Sequence, residues 1–292
     1  MAPLEAPAPA PCPSIEVDEA LNNGWFEDWY QPKIDLKRKC LAGAEALACV
    51  RHPGLGLLMP GGYTCGTGTG ADAARLSEHA LLAILRNWSL FDEAGFNLSL
   101  AIKIPVRMLL DLPIRDLVAE HRPISDRWPG IILQVNEDDI VRDLKLAREV
   151  TTRLRASGIQ IAIDDFGAGY SSLASLRELS FVEIKLDRSF VQNCAIDATN
   201  GAICQTAIDL AHRLNRAAAA NGIEIQADLQ FLMAMGCDFG QGNLISPPMS
   251  QDQFLELLHQ RTGKPREQPL REQPQRTAAP PPVQAHTIDR VA

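Results

Sequence analysis

Residues 158–191, GIQIAIDDFGAGYSSLASLRELSFVEIKLDRSFV, determine how the rest of this sequence is interpreted. The segment IQIAIDDF alternates and then runs apolar, which is typical of a buried parallel strand, and it ends on the adjacent carboxylates Asp164 and Asp165. A Gly/Ser loop follows, and VEIKLD predicts a second short strand with Lys185 near its end. Charged groups at the C-terminal ends of consecutive parallel strands indicate the active face of a (β/α)8 barrel. The alternative, a solvated turn with a surface lysine, does not account for the order of these motifs.

Length and composition fit a single large domain. The chain has 292 residues, 46% of them hydrophobic, and a barrel of ~250 residues fits within that length. A net charge of −8 argues against an electrostatic nucleic-acid binder. The seven cysteines show no CxxC pattern and are expected to be reduced thiols. Because no apolar run reaches ~18 residues and no signal peptide opens the chain, we expect a cytoplasmic protein without a membrane partner.

The ends of the chain differ from its middle. Residues 1–13 are rich in Pro and Ala, and residues 261–292 are rich in Pro, Gln and Arg with REQP occurring twice. Both segments lack apolar periodicity, so we predict a disordered leader and a disordered tail. Residues 14–260 then form the barrel domain, which we expect to stand alone. Within it, residues 97–109 and 128–141 are predicted as strands, and residues 66–70, GTGTG, as a loop.

The motifs of residues 158–191 closely resemble the core of EAL domains, bacterial cyclic di-GMP phosphodiesterases with the pattern DDFGxGYSSL, then a Lys on the next strand, then DRSF. The resemblance extends over roughly residues 14–260 and includes the triplet Glu45-Ala46-Leu47, followed by RHPGLGLLMPGGY. It implies an α/β fold, a TIM-like (β/α)8 barrel of the EAL type. It also implies a cleft that binds cyclic di-GMP and hydrolyses it with two Mg²⁺ or Mn²⁺ ions.

The resemblance carries roles over to individual residues. The nucleotide-facing positions it implies are Gln31, Glu45, Leu47, Asp164, Asp165, Gln241 and Pro248. The metal ligands that remain are Glu45, Asp164 and Asp165. The catalytic positions that remain are Lys185 and Glu137, the latter steadying the Gly/Ser loop, while Glu224 matches a further Glu of the pattern.

Three positions depart from the pattern where the chemistry is concentrated. Lys103 replaces a ligand Asn, Gln134 replaces a ligand Glu, and Asn221 replaces the Glu that helps to activate water. A charged ammonium has no lone pair for a metal ion, and an amide lacks the charge of a carboxylate. Two carboxylates are therefore lost and one cation is gained. The metal site is predicted to be incomplete.

Other departures weaken the expected nucleotide contacts. Cys49 stands where the family has an Arg that contacts phosphate, and a thiol cannot form the bidentate, charged contact of a guanidinium. Asn243 and Ile245 stand where an aromatic platform is expected, and the loss of base stacking costs on the order of 1–3 kcal/mol.

The lysine at position 103 suggests that a side-chain cation replaces the metal ions as counter-charge to the carboxylates. Lys103 lies between Ile102 and Ile104 on a predicted inner strand, which favours a buried position. There it could act as a counter-ion among Glu45 and Asp164 and stabilise a barrel without metal, because buried carboxylates without a cation are costly.

Two functions follow from the resemblance and its departures. The first is a degenerate, non-catalytic regulator in cyclic di-GMP signalling that needs no cofactor and binds a protein partner, cyclic di-GMP, or both. The second is a divergent phosphodiesterase that uses Mg²⁺ or Mn²⁺ and yields linear pGpG. A homodimer is expected by resemblance only.

Overall fold

The computed structural model describes residues 13–65, 70–155, 157–167 and 176–262. The predicted leader (apart from its last residue) and almost all of the predicted tail lie outside the described residues. So do residues 66–69 of the Gly/Thr loop and residues 168–175 of the Gly/Ser loop. The predictions made for these segments therefore stay predictions.

The elements alternate between strands and helices along most of the chain. The strands are β1 Ser14–Ile15, β2 Phe26–Asp35, β3 Cys40–His52, β4 Gly56–Leu58, β5 Thr64–Cys65, β6 Ser99–Lys103, β7 Ile131–Asn136, β8 Gln160–Phe166, β9 Glu183–Leu186, β10 Ala217–Ala220, β11 Phe239–Gly240 and β12 Met249–Ser250. The helices are α1 Val17–Asn22, α2 Gly70–Glu93, α3 Met108–Asp111, α4 Ile114–His121, α5 Glu137–Arg142, α6 Leu144–Arg155, α7 Arg188–Val191, α8 Ala198–Arg213, α9 Gln226–Ala234 and α10 Gln251–Thr262.

Eight strands close into a barrel, which confirms the predicted fold. Neighbours around the barrel are β2, β3, β6, β7, β8, β9, β10 and β11, and β11 pairs back onto β2. All of these pairings are parallel except those of β2, which runs antiparallel to both β3 and β11. The four residues between β2 and β3 explain this exception, because they suffice for a hairpin but not for a parallel crossover.

Two predicted strands extend too far. The prediction of a strand over residues 97–109 is wrong beyond Lys103, where β6 ends; Pro105 offers no backbone N–H, and α3 begins at Met108. The prediction for residues 128–141 is wrong beyond Asn136, whose side chain accepts a hydrogen bond from the backbone N–H of Asp138 and caps α5. Both strands therefore end at the face where the polar residues collect.

The interior of the barrel is layered by the two-residue period of its strands. Ala101, Ile132 and Ala162 form a small buried apolar cluster on β6, β7 and β8. Two residues further along the same strands stand Lys103, Gln134 and Asp164, which the strand period places on the same side of the sheet, one layer higher. A polar layer thus lies directly above an apolar one. None of the helices in the described part of the chain is both long and apolar enough to cross a membrane.

Candidate functional site

Lys185 is the centre of the polar layer. It stands on β9 with its side chain 1% exposed, and its Nζ lies 2.6 Å from Oε2 of Glu45 on β3 and 3.5 Å from Oδ1 of Asp164 on β8. Burial by itself lowers the pKa of Lys185, but the two carboxylates more than reverse this effect and hold the pKa above its ordinary value. The lysine is therefore a permanent cation inside the barrel.

Lys103 approaches the aspartate pair from the other side. Its Nζ lies 3.1 Å from Oδ2 of Asp164 and donates a hydrogen bond to Oδ2 of Asp165. The contact with Asp164 agrees with the counter-ion hypothesis, but Glu45 is bound by Lys185 rather than by Lys103. The expectation of burial is also wrong, because the Lys103 side chain is 46% exposed. It stands at the last residue of β6, where the barrel opens to solvent.

The two aspartates differ in their environment. Burial raises the pKa of Asp164, but Lys185 and Lys103 outweigh burial, and the pKa is below its ordinary value. Burial and then the charge of Asp164 raise the pKa of Asp165, in spite of its contact with Lys103. Asp165 also has a positive φ of 54°, and the amide of Asn136 donates to its Oδ2 over 2.8 Å. The pairing of β8 with β9 shifts register at this point.

A chain of amides joins Glu45 to the first barrel strand. Nε2 of Gln241 donates to Oε2 of Glu45 and to Oε1 of Gln31, in each case over 2.8 Å. Nε2 of Gln31 in turn donates to the backbone carbonyl of Ser246 over 3.2 Å. The structure thus brings together the predicted positions Gln31, Glu45 and Gln241, with Gln241 buried and Gln31 at the surface of the cleft.

Glu137 occupies a separate position next to the end of β8. It is buried at the start of α5, and its Oε2 accepts a hydrogen bond from the backbone N–H of Gly167 over 2.9 Å. Gly167 is the last described residue before the loop and has a φ of +102°. This geometry fits the role that the resemblance implies for Glu137; the loop itself lies outside the described residues.

A cleft of about 550 Å³ opens above the polar layer. Lining residues already singled out in the sequence are Gln31, Glu45, Leu47, Lys103, Asp164, Asp165, Asn221, Glu224, Asn243 and Pro248. Lys185, Gln134 and Gln241 are buried and do not line it.

The sequence analysis missed two residues of this region. Arg188 lines the cleft and donates to Oε1 of Glu224 over 3.2 Å. Its place two residues after the end of β9, at the same end of the barrel as Lys185, was the signal that could have identified it. The second is Asn136, the last residue of β7, which binds Asp165 and caps α5.

The positions predicted to have lost nucleotide contacts lie in different places. Cys49 is fully buried with its Sγ 3.5 Å from Sδ of Met59, and burial raises the pKa of this thiol to about 12. Asn243 lines the cleft, whereas Ile245 packs partly buried against the main apolar core. Cys49 thus offers no group to the cleft. Arg188, by contrast, does line the cleft and carries a guanidinium.

The residues present do not fit a pair of divalent ions. Glu45, Asp164 and Asp165 each contact an ammonium group, and Gln134 and Asn221 are neutral. Buried side-chain oxygens that accept no hydrogen bond from the described residues include Gln134 Oε1, Asp164 Oδ1 and Gln241 Oε1. Two of these oxygens belong to neutral amides and the third faces Lys185. Among the described residues, no group of three or more His, Cys, Asp or Glu is arranged to hold a metal ion.

Comparison with known proteins places this geometry in context. Residues 15–248 match the family model of the EAL domain. The chain is 33% identical over 253 residues to the cyclic di-GMP phosphodiesterase RocR of Pseudomonas aeruginosa, covering 85% of this chain and 64% of that protein. It is also 33% identical over 233 residues to the bifunctional diguanylate cyclase/cyclic di-GMP phosphodiesterase MucR of the same species, covering 77% of this chain and 33% of that protein.

A solved structure described as the PaMucR phosphodiesterase in complex with c-di-GMP has the same fold. It superposes with a TM-score of 0.72 at 29% identity, covering 82% of this chain and 97% of that one. The chain thus spans from a third to just under two thirds of the two curated relatives.

Proposed function

The chain belongs to the EAL domain family, and we propose that it is a degenerate, non-catalytic regulator in bacterial cyclic di-GMP signalling. In this role it binds cyclic di-GMP, a protein partner, or both. The observation that carries the proposal is the ion pair of Lys103 with Asp164 and Asp165, which puts a cation of the protein on carboxylates that hydrolysis would need for metal.

Nucleotide binding is supported by the groups that line the cleft. Gln31 and Leu47 line its wall, while Glu45 is fixed by Lys185 and Gln241 below it. The guanidinium of Arg188 adds a cation on the wall, suited to a phosphodiester. Sites in which side chains are held by packing and hydrogen bonds bind with little loss of conformational entropy.

A second candidate is a divergent phosphodiesterase that uses Mg²⁺ or Mn²⁺ and releases linear pGpG. The observation that favours it is the close grouping of Glu45, Asp164, Asp165 and Lys185 at one end of the barrel. The similar proteins RocR and MucR are also named for this activity. In this candidate Glu137 would support the loop, and Asn221 would stand at the position of the missing base.

Turnover of cyclic di-GMP at high protein concentration separates the two candidates. The protein is incubated with Mg²⁺ and then with Mn²⁺, and linear pGpG is measured by chromatography. We expect no product, because Gln134 and Asn221 lack the charge that would hold the metals and activate water. Metal-dependent product would refute the non-catalytic proposal and establish the second candidate.

Titration calorimetry with cyclic di-GMP then separates nucleotide binding from an interaction with a protein partner alone. If the nucleotide occupies the cleft, Arg188→Gln should weaken binding by about tenfold or more, since a charged hydrogen bond contributes about 1.5–3 kcal/mol. Arg148→Gln is a matched control, because Arg148 is equally exposed and also pairs with a glutamate, but lies outside the cleft. Absence of heat at any concentration would leave the protein-partner function.

A further inference from the structure

The position of Lys103 is determined by the barrel. It is the last residue of β6 and is paired in register with Gln134 of β7, while β7 pairs in turn with β8, which carries both aspartates. An ammonium group at this corner reaches Asp164 and Asp165 together. The lysine therefore bridges the two carboxylates with a cation of the protein itself.

The charges around it are nearly balanced without metal. The carboxylates of Glu45, Asp164 and Asp165 face the two ammonium groups of Lys103 and Lys185, which leaves a net charge of about −1. A site that concentrates divalent ions depends on several uncompensated negative charges and on oxygen ligands that approach within about 2.0–2.6 Å. Here both aspartates already bind a cation, and a metal ion would have to displace that cation against like-charge repulsion.

The remaining positions do not supply the missing charge. Gln134 is buried with its Oε1 free of any hydrogen bond from the described residues, so it offers an oxygen but no charge. Asn221 lines the cleft and is also neutral. Neither side chain can offset the repulsion between Lys103 and an incoming metal.

We propose that the ammonium group of Lys103 takes the place of the divalent ions in this chain, so that the cleft is a metal-free site whose phosphodiester ligand is held by cations of the protein. The identity of that ligand rests on the proposed function; the absence of metal binding does not. The cleft is then insensitive to chelators, and its state does not depend on the supply of Mg²⁺ or Mn²⁺.

The test measures metal binding by the nucleotide-free protein. Thermal unfolding in EDTA and in millimolar Mn²⁺ is combined with electron paramagnetic resonance, in which bound Mn²⁺ loses the signal of the free ion. The wild type should melt at the same temperature in both conditions and leave the Mn²⁺ signal unchanged. The triple variant Lys103→Asn, Gln134→Glu, Asn221→Glu should bind Mn²⁺ and melt about 5 °C or more higher with metal than in EDTA.

Two controls make the result specific. Lys103→Arg keeps the cation and should bind no Mn²⁺, with the same melting temperature in EDTA and in Mn²⁺. Lys145→Asn makes the same type of change at an exposed lysine outside the cleft. Micromolar binding of Mn²⁺ by the wild type would overturn the inference, even if the triple variant does not fold. Because no nucleotide is present, this outcome is separate from a failure of the proposed function, which would appear in the cyclic di-GMP titration.

Discussion

Asp164 lies between two lysines, and their exposure predicts which of them the fold depends on. Lys185 is 1% exposed and contacts both Asp164 and Glu45, whereas Lys103 is 46% exposed and can exchange its contacts with water. Buried charges are expensive to leave without a partner, while exposed ion pairs contribute little. Lys185 is therefore expected to matter for stability and Lys103 mainly for the chemistry of the cleft.

Lys185→Met should be strongly destabilising. The variant leaves Glu45 and Asp164 without their buried cation, and removal of one partner of such a pair costs about 3–5 kcal/mol. Urea denaturation gives the change in the free energy of unfolding, with the exposed Lys145→Met as the matched control. The double variant Glu45→Met, Lys185→Met should recover part of the loss, and a double variant less stable than Lys185→Met would contradict this account.

Most of the residues that form the site could be predicted, but their pairings could not. The order of carboxylates, loop and lysine in residues 158–191 was sufficient to predict the aspartates and Lys185 at one end of a barrel. Which lysine neutralises Glu45 depends on the stagger of strands far apart in sequence. In the structure Lys185 on β9 contacts Glu45, whereas Lys103 on β6 contacts the two aspartates instead. The position of Arg188 after β9 was a usable signal, but its contact with Glu224 on the cleft wall is visible only in the structure.

At the scale of elements, the contact between β3 and β6 depends on a residue without a side chain. Gly43 pairs with Ser99, and a Cβ at Gly43 would lie 2.1 Å from the carbonyl oxygen of Ser99. Next to this point the pairing of β2 with β3 shifts register between Lys33 and Ile34. The backbones of β3 and β6 are thus in close contact here, two residues before Glu45.

Gly43→Ala should destabilise the barrel by about 1–3 kcal/mol or more, because overpacking against a backbone atom cannot be relieved by a rotamer change. The matched control is Gly70→Ala at the start of α2, where a Cβ would meet no heavy atom within 4 Å. That control should be neutral or slightly stabilising. Chemical denaturation of both variants checks the prediction, and equal stability of the two would show that the strands move apart without cost.

The ends of the strands were less predictable than their existence. Apolar alternation continues past Lys103 and favours a longer strand there, whereas the three acidic residues 137–139 interrupt it directly after Asn136. The structure ends β6 before Pro105 and ends β7 with the cap of Asn136, local effects that periodicity does not record. The antiparallel direction of β2 follows from its short connection to β3, which could have been used in the sequence analysis.

For the whole molecule, the barrel must close between its last strand and its first. Asp238, directly before β11, lies at this seam. Its carboxylate accepts hydrogen bonds from Lys37 after β2 and from the backbone N–H of Ala218 on β10, and it lies 2.8 Å from Nε2 of His212 in α8. Its backbone also bonds with Leu36 and Ala218. One residue thus connects the two ends of the sheet with the helix that covers them.

The charge on Asp238 makes closure depend on pH in a defined direction. Burial raises the pKa of this carboxyl, but the hydrogen bonds from Lys37, Ala218 and His212 outweigh it and hold the pKa below the ordinary value of 3.8. A group whose pKa is lower in the folded protein binds protons more readily when unfolded. Its contribution to stability is therefore fully present above about pH 4–5 and is lost as the pH falls through the folded pKa.

Asp238→Asn should destabilise the protein by roughly 1–3 kcal/mol at pH 7, because the amide keeps the shape of the side chain but not its charge. As the pH falls below about 4, the wild type should lose this advantage and the two unfolding temperatures should converge. Asp111→Asn, in an exposed ion pair with Arg107, serves as the control with little effect at either pH. A stability difference between wild type and Asp238→Asn that stays constant from pH 7 to pH 3 would mean that the seam is held by shape and backbone pairing, with the carboxylate charge contributing nothing.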